Sequence, residues 1–142
     1  MNTIRFAIVG FGNIAKTHMT ALRALPIVKK LPAAPLLDTL VTRDPAKAAQ
    51  QAAAIGFRRV AASAAEAAED AMVDVLDVCT PNARHYEDAE AAFRYHKSVY
   101  LEKPLTETYE RSESLVREAS RRKGLTLQLA FTFRYQDRKS VV

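Results

Sequence analysis

Three short stretches of this chain carry residue types that chemistry could use. The first is VGFGNIA, which reads Gly10-x-Gly12-x-x-Ala15. One glycine permits a tight turn, the next lets the backbone approach a pyrophosphate, and a small third residue lets a helix pack on a strand. Asn13 and Ile14 open that helix, so its free N–H groups face the phosphates of a dinucleotide. The second stretch is LVTRDP, at a corner where an acid would hold a ribose 2′-OH. Thr42 and Arg43 stand there instead, and a guanidinium grips a 2′-phosphate through two parallel hydrogen bonds. The expected cofactor is therefore NADP, with NAD as second choice. Asp44 is better employed as a helix cap. Asp38, the first acid in the chain, is the rival for the ribose, but its mid-strand position points it into the cover of the sheet. The third stretch, SVYLEKPLTET (98–108), puts Lys103 between Glu102 and Pro104 where a strand gives way to a helix. Open α/β sheets gather ligands outside the carboxyl ends of their strands. From position alone, a lysine that serves a ligand and one that pairs with Glu102 are equally open.

Other reactive residue types read as structural. Cys79, the single cysteine, lies in VDVLDVCTP, a buried-strand pattern. It is expected to be a small core residue, because a catalytic thiol needs a base and a polarising site. Alone it forms no internal disulfide, in keeping with a reducing compartment. His18 sits on the apolar face of the first helix and is expected to be structural. No grouping of His18, Cys79, His85 and His96 has metal-ligand spacing, so no metal is expected.

These residues need elements to position them, and apolar runs alternate with helical patterns along the whole chain. Strands are expected at 3–9, 36–42, 57–61, 74–81, 98–101 and 125–135. Helices are expected at 13–25, from Asp44-Pro45 to Gly56, from the capping box Ser63-Ala64-Ala65-Glu66, at 83–95, and at 106–123 before Gly124. The segment 26–35 holds three prolines and reads as an extended surface loop. In the last strand Leu125, Leu127, Leu129, Phe131, Phe133 and Tyr135 share one face. Apolar strands separated by helices make a parallel sheet covered on both faces, a doubly wound α/β fold of the Rossmann type. With 142 residues, 49% apolar and 26% charged, the chain has room for one domain, expected at 1–131, followed by a tail at 132–142.

The totals also exclude partners. The net charge is +5, but Arg117, Arg121, Arg122 and Lys123 crowd the end of one helix, where cations complement its dipole. KGLTLQLAF lacks the aromatic-glycine pattern of RNA-binding sheets, so a nucleic-acid surface is not expected. No apolar run approaches the roughly 18 residues of a membrane span, and the start lacks the features of a signal peptide. A cytoplasmic protein is expected.

Taken in order and spacing, VGFGNIA, CTPNARHYEDAEAAF (79–93) and KSVYLEKPLTET (97–108) resemble the Gfo/Idh/MocA oxidoreductases, named for glucose-fructose oxidoreductase and inositol dehydrogenase. The resemblance runs from about 3 to 135, and Glu-Lys-Pro is its most specific element. It implies that Gly10, Gly12 and Ala15 form the pyrophosphate turn and that Thr80, Pro81 and Asn82 line the nicotinamide side. His85 matches a histidine opening the next helix, and Glu102, Lys103 and Pro104 match the motif whose lysine lies near nicotinamide and substrate. By that resemblance Lys103 and His85 are the candidate catalytic residues, with Lys103 orienting a substrate oxygen and assisting proton transfer. His96 departs from the family, which usually has glycine there; a histidine adopts positive φ at some cost. Family members also draw an aspartate and a histidine from a second α/β domain that binds substrate, commonly a sugar or polyol. The chain is expected to lack that domain and to be incomplete for catalysis by itself. Its partners would then be a dinucleotide, plus a C-terminal domain or a second copy covering the last strand. The alternative is a non-catalytic nucleotide-binding sensor or regulatory module.

Overall fold

A computed structural model describes residues 2–131. The elements alternate strictly: β1 (Thr3–Val9), α1 (Asn13–Val28), β2 (Ala34–Val41), α2 (Pro45–Ile55), β3 (Arg59–Ala61), α3 (Ala64–Glu69), β4 (Val75–Val78), α4 (Asn82–Arg94), β5 (Ser98–Glu102), α5 (Tyr109–Ser120) and β6 (Leu127–Ala130). They form one six-stranded sheet in the order β3-β2-β1-β4-β5-β6, with every pairing parallel. From β1 the chain winds outward one way through β2 and β3, then returns and winds the other way through β4, β5 and β6. The reversal between β1 and β4 leaves a crevice at the carboxyl ends of those strands.

Side-chain alternation in the strands divides the core in two. On one face Ala7, Val9, Leu76, Val78, Val99 and Leu101 pack against Ala67 of α3, Ala92 and Phe93 of α4 and Leu115 of α5. On the other, Ile8, Leu40 and Cys79 pack against Ala15 and Met19 of α1 and Ala48 and Ala52 of α2. Thus α1 and α4 lie on opposite faces of the sheet. Leu125, Leu127 and Leu129 pack against the first core, as their alternation predicts, but β6 ends at Ala130 and Phe131, expected on the same face, is 53% exposed; Phe133, Tyr135 and the expected tail at 132–142 lie outside the described residues.

Several boundaries differ from expectation. Helix α1 continues through Pro26, in the segment read as an extended loop. Pro26 removes one donor from the last turn, and Lys29 N–H closes that turn on the Leu25 carbonyl at 3.0 Å. Helix α5 starts three residues later than predicted, so no helix begins at once after Glu-Lys-Pro. Buried Thr106 donates its hydroxyl to the Thr108 carbonyl at 2.7 Å, and Thr108 becomes the cap, accepting from Arg111 N–H at 3.2 Å. At α3, Ser63 accepts from Glu66 N–H at 3.1 Å, but Glu66 reaches back to Ala62 N–H at 2.9 Å, one residue before the expected partner. His96 does take a positive φ of 59°.

Candidate functional site

A cleft of about 1240 Å³ opens at the switch point, lined from β1 and α1 by Gly10, Phe11, Gly12 and Ile14. Gly10 has φ +109°, and a Cβ there would stand 3.1 Å from the Cys79 carbonyl oxygen. Its N–H donates to the Val41 carbonyl at 2.9 Å, tying the turn to β2. Gly12 is the N-cap of α1 and supplies no side-chain cap, so the first N–H groups of the helix keep no side-chain partner at their end. A Cβ on Gly12 would meet nothing within 4 Å. Open space beside uncapped N–H groups at a helix start suits a phosphate. Asn13 is exposed in the first turn and lies outside the cleft lining.

The corner after β2 contributes Thr42 and Arg43, and also Lys47, Gln51 and Ser63 from neighbouring segments. Asp44 is the α2 cap, accepting from Lys47 N–H at 3.1 Å. Lys47 escaped the sequence reading, although its place one turn beyond the Asp44 cap could have found it. Asp38 stays out of the cleft. Its side chain is 0% exposed and accepts from Arg5 at 2.7 Å, from Arg58 through two contacts at 3.0 Å and from the Thr39 hydroxyl at 2.8 Å. Burial would push this carboxyl up, but the Arg58, Thr39 and Arg5 bonds outweigh it and hold it below the usual range.

From β4 and α4, Thr80 and Pro81 line the cleft together with Cys79, Arg84 and Asp88. The Thr80 hydroxyl donates to Asp88 at 2.7 Å, and burial raises the Asp88 carboxyl above its ordinary value. Asn82 is exposed at the start of α4, outside the lining. His85 is 1% exposed. Its Nδ1 lies 2.8 Å from the Pro104 carbonyl oxygen and its Nε2 2.8 Å from that of Thr80. The ring therefore ties the cleft-lining turn to the segment after Lys103 and presents no nitrogen to the cleft.

At the end of β5, Glu102 is buried. One oxygen lies 3.0 Å from His18 Nε2 and the other accepts the Lys103 N–H at 3.1 Å. Lys103 is exposed, and among the described residues its ammonium makes no ion pair or hydrogen bond. Pairing with Glu102 is thus not what occupies it. The Lys103–Pro104 peptide bond is cis. His18 Nδ1 lies 2.9 Å from both oxygens of Asp77, with the Cys79 sulfur 3.3 Å away. Burial opposes a charge on His18, but hydrogen bonds and charges from Asp77 and Glu102 outweigh it and raise its pKa above the ordinary value. Burial and Asp77 push the Cys79 thiol up, away from a reactive thiolate. The donor atoms of His18, Asp77 and Cys79 all lie within 4.8 Å of one another, a juxtaposition that sequence spacing does not reveal.

The structure thus gathers Gly10, Gly12, Ile14, Thr42, Arg43, Thr80 and Pro81 around one cleft. Lys103 stands at the carboxyl edge of the same sheet, and His85 and Glu102 lie buried behind that edge. A smaller groove of about 260 Å³ between α4 and α5 involves none of them. Among the described residues no helix is long and apolar enough to cross a membrane.

Comparison with known proteins agrees with this geometry. An oxidoreductase family with an NAD-binding Rossmann fold, GFO_IDH_MocA, matches residues 4–131. Levoglucosan dehydrogenase of Pseudarthrobacter phenanthrenivorans is 30% identical over 135 residues, which cover 94% of this chain and 34% of that protein. D-xylose 1-dehydrogenase [NADP(+)] of Haloarcula marismortui is 34% identical over 139 residues, covering 92% of this chain and 35% of that one. The solved complex of levoglucosan dehydrogenase with NADH superposes with a TM-score of 0.87 at 28% identity, covering 94% of this chain and 36% of that one. The chain spans about a third of the length of the curated relatives it matches.

Proposed function

This chain belongs to the Gfo/Idh/MocA oxidoreductase family, and we propose that its cleft holds NADP in preference to NAD, as the cofactor part of an enzyme acting on a CH–OH group of a sugar or polyol. The observation that carries the cofactor reading is the Gly12 turn, with open space where a Cβ would stand and a helix start without a side-chain cap. A bound nicotinamide cofactor supplies a hydride acceptor or donor. The chain's own part is to hold it: α1 N–H groups at the pyrophosphate, Thr42 and Arg43 at the ribose, and Thr80 with Pro81 toward the nicotinamide. Lys103 orients the substrate oxygen and moves a proton at Nζ. The relatives named above are dehydrogenases, which favours an enzyme over a sensor.

Arg43 decides the cofactor preference. Arg43 lines the cleft, where the neighbouring Asp44 is engaged as the α2 cap, and a charge-assisted bond to phosphate is worth about 1.5–3 kcal/mol. Arg43→Ala is expected to weaken NADPH binding roughly 10- to 100-fold while NADH binding stays nearly constant. An unchanged ratio of the two affinities, read by fluorescence titration, would remove the NADP preference. For Lys103, the test is turnover of the chain joined to a substrate-binding domain. Lys103→Met should lower kcat by roughly 10²- to 10⁴-fold with dinucleotide affinity retained, and full turnover in that variant would end its assignment.

A further inference from the structure

Two histidines, His85 buried and His18 partly buried, hold the residues on either side of Lys103. His18 comes from α1, on one face of the sheet, and sets Nδ1 2.9 Å from the Asp77 oxygens and Nε2 3.0 Å from Glu102. His85 comes from α4, on the opposite face, and sets its two nitrogens 2.8 Å from the carbonyl oxygens of Pro104 and Thr80. Carboxylates and carbonyls accept and do not donate, whereas a neutral imidazole donates from one nitrogen only. The His18 ring, between two carboxylates, would therefore leave one contact as acceptor against acceptor unless both of its nitrogens carry hydrogen. Glu102, gripped by His18, in turn receives the Lys103 N–H. The residue before Lys103 and the residue after it are thus each anchored to a different layer of the fold, and Thr80 of the cleft lining shares one anchor.

We propose that His18 and His85 are positioning residues, which clamp the carboxyl end of β5 from opposite faces and fix the backbone that carries Lys103, with His18 donating from both ring nitrogens. The purpose of a fixed Lys103 rests on the oxidoreductase reading; the clamp itself is a property of the chain without ligand. His18 is faced by Asp77 of β4 and Cys79 just beyond it, and by Glu102 and the Tyr100 ring from β5. Asp88, of its own helix, lies close enough to His85 to feel its charge.

Long-range ¹H–¹⁵N correlation spectra of the chain with labelled histidine read the ring nitrogens directly, with exposed His96 as the internal reference. At pH 7 both nitrogens of His18 should show imidazolium shifts. Asp77→Asn and Glu102→Gln should each lower the pH at which His18 loses its second proton. In His18→Gln and His85→Gln, amide exchange at Lys103 should accelerate about tenfold or more, with the amides of Ile8 and Leu76 in the sheet centre unmoved. A neutral tautomer for the His18 ring at pH 7, or unaltered exchange at Lys103 in folded variants, would overturn the clamp. Should the glutamine variants not fold, the ring-nitrogen shifts of the unaltered chain decide alone. A clamp confirmed in a chain that binds no dinucleotide would retain this inference and discard the cofactor reading.

Discussion

Gly12→Val is expected to leave the fold as stable as before, within about 0.5 kcal/mol, and to weaken dinucleotide binding by about 100-fold or more. The dissociation follows from what surrounds each glycine of the turn. At Gly12 the backbone is extended, with φ −84° and ψ −171°, a conformation open to any residue, and a Cβ has nothing within 4 Å to strike. The added side chain starts into the open space that a pyrophosphate would take beside the helix N–H groups. A 100-fold loss corresponds to about 2.7 kcal/mol, the scale of losing a few charge-assisted hydrogen bonds. Gly10→Ala behaves differently. Its φ of +109° and a Cβ 3.1 Å from the Cys79 carbonyl oxygen put strain into the fold itself, on the order of 1–3 kcal/mol. Thermal melts and NADPH titrations of both variants check the pair; a Gly12→Val chain that still binds NADPH as tightly would show that no phosphate sits at this turn.

Asp38→Ala should produce the opposite pattern, a loss of stability with the cofactor cleft intact. The carboxylate satisfies Arg5, Arg58 and Thr39 at once, and truncating one partner of a fully buried pair costs about 3–5 kcal/mol. Arg58 and Arg5 remain 38% and 31% exposed, so water takes up part of the loss, and about 2–3 kcal/mol is the expected destabilisation. Urea denaturation measures it, and NADPH affinity should stay unchanged because Asp38 is not in the cleft lining. A weakened affinity in a folded variant would return Asp38 to the ribose. The same residue shapes the acid limb of stability. Its folded pKa lies below the ordinary 3.8, so its contribution is complete above that value and disappears as pH falls through the folded one. His18 acts on the other limb. Its folded pKa lies above 6.5, so its contribution is complete below 6.5 and disappears as pH rises through the raised value.

What could be read from the sequence was local. The glycine turn, the Arg43 corner and the Asp44 cap are contiguous stretches in which residue type and spacing suffice, and the structure gathers their residues around one cleft. Apolar alternation likewise sorted Leu125, Leu127 and Leu129 onto the covered face. The charge networks were not legible, because their members meet only through the fold. Asp38 lies 33 residues from Arg5 and 20 from Arg58, and His18 lies 59 residues from Asp77 and 84 from Glu102. A polar residue on an apolar helix face gives no sign of which partner will reach it, so His18 could be read as structural but not as the holder of Glu102. The start of α5 shows a local ambiguity, since Thr106 and Thr108 are both competent caps. The hydroxyl of Thr106 is taken up by the Thr108 carbonyl and Ser112, which leaves Thr108 to cap the helix.

Calorimetric titration of the 142-residue chain with NADPH, and then with NADH, is the most direct test of the central claim. Saturable binding of both, with one site per chain and NADPH the tighter, is the predicted result. A chain that is folded by circular dichroism and binds neither would contradict it.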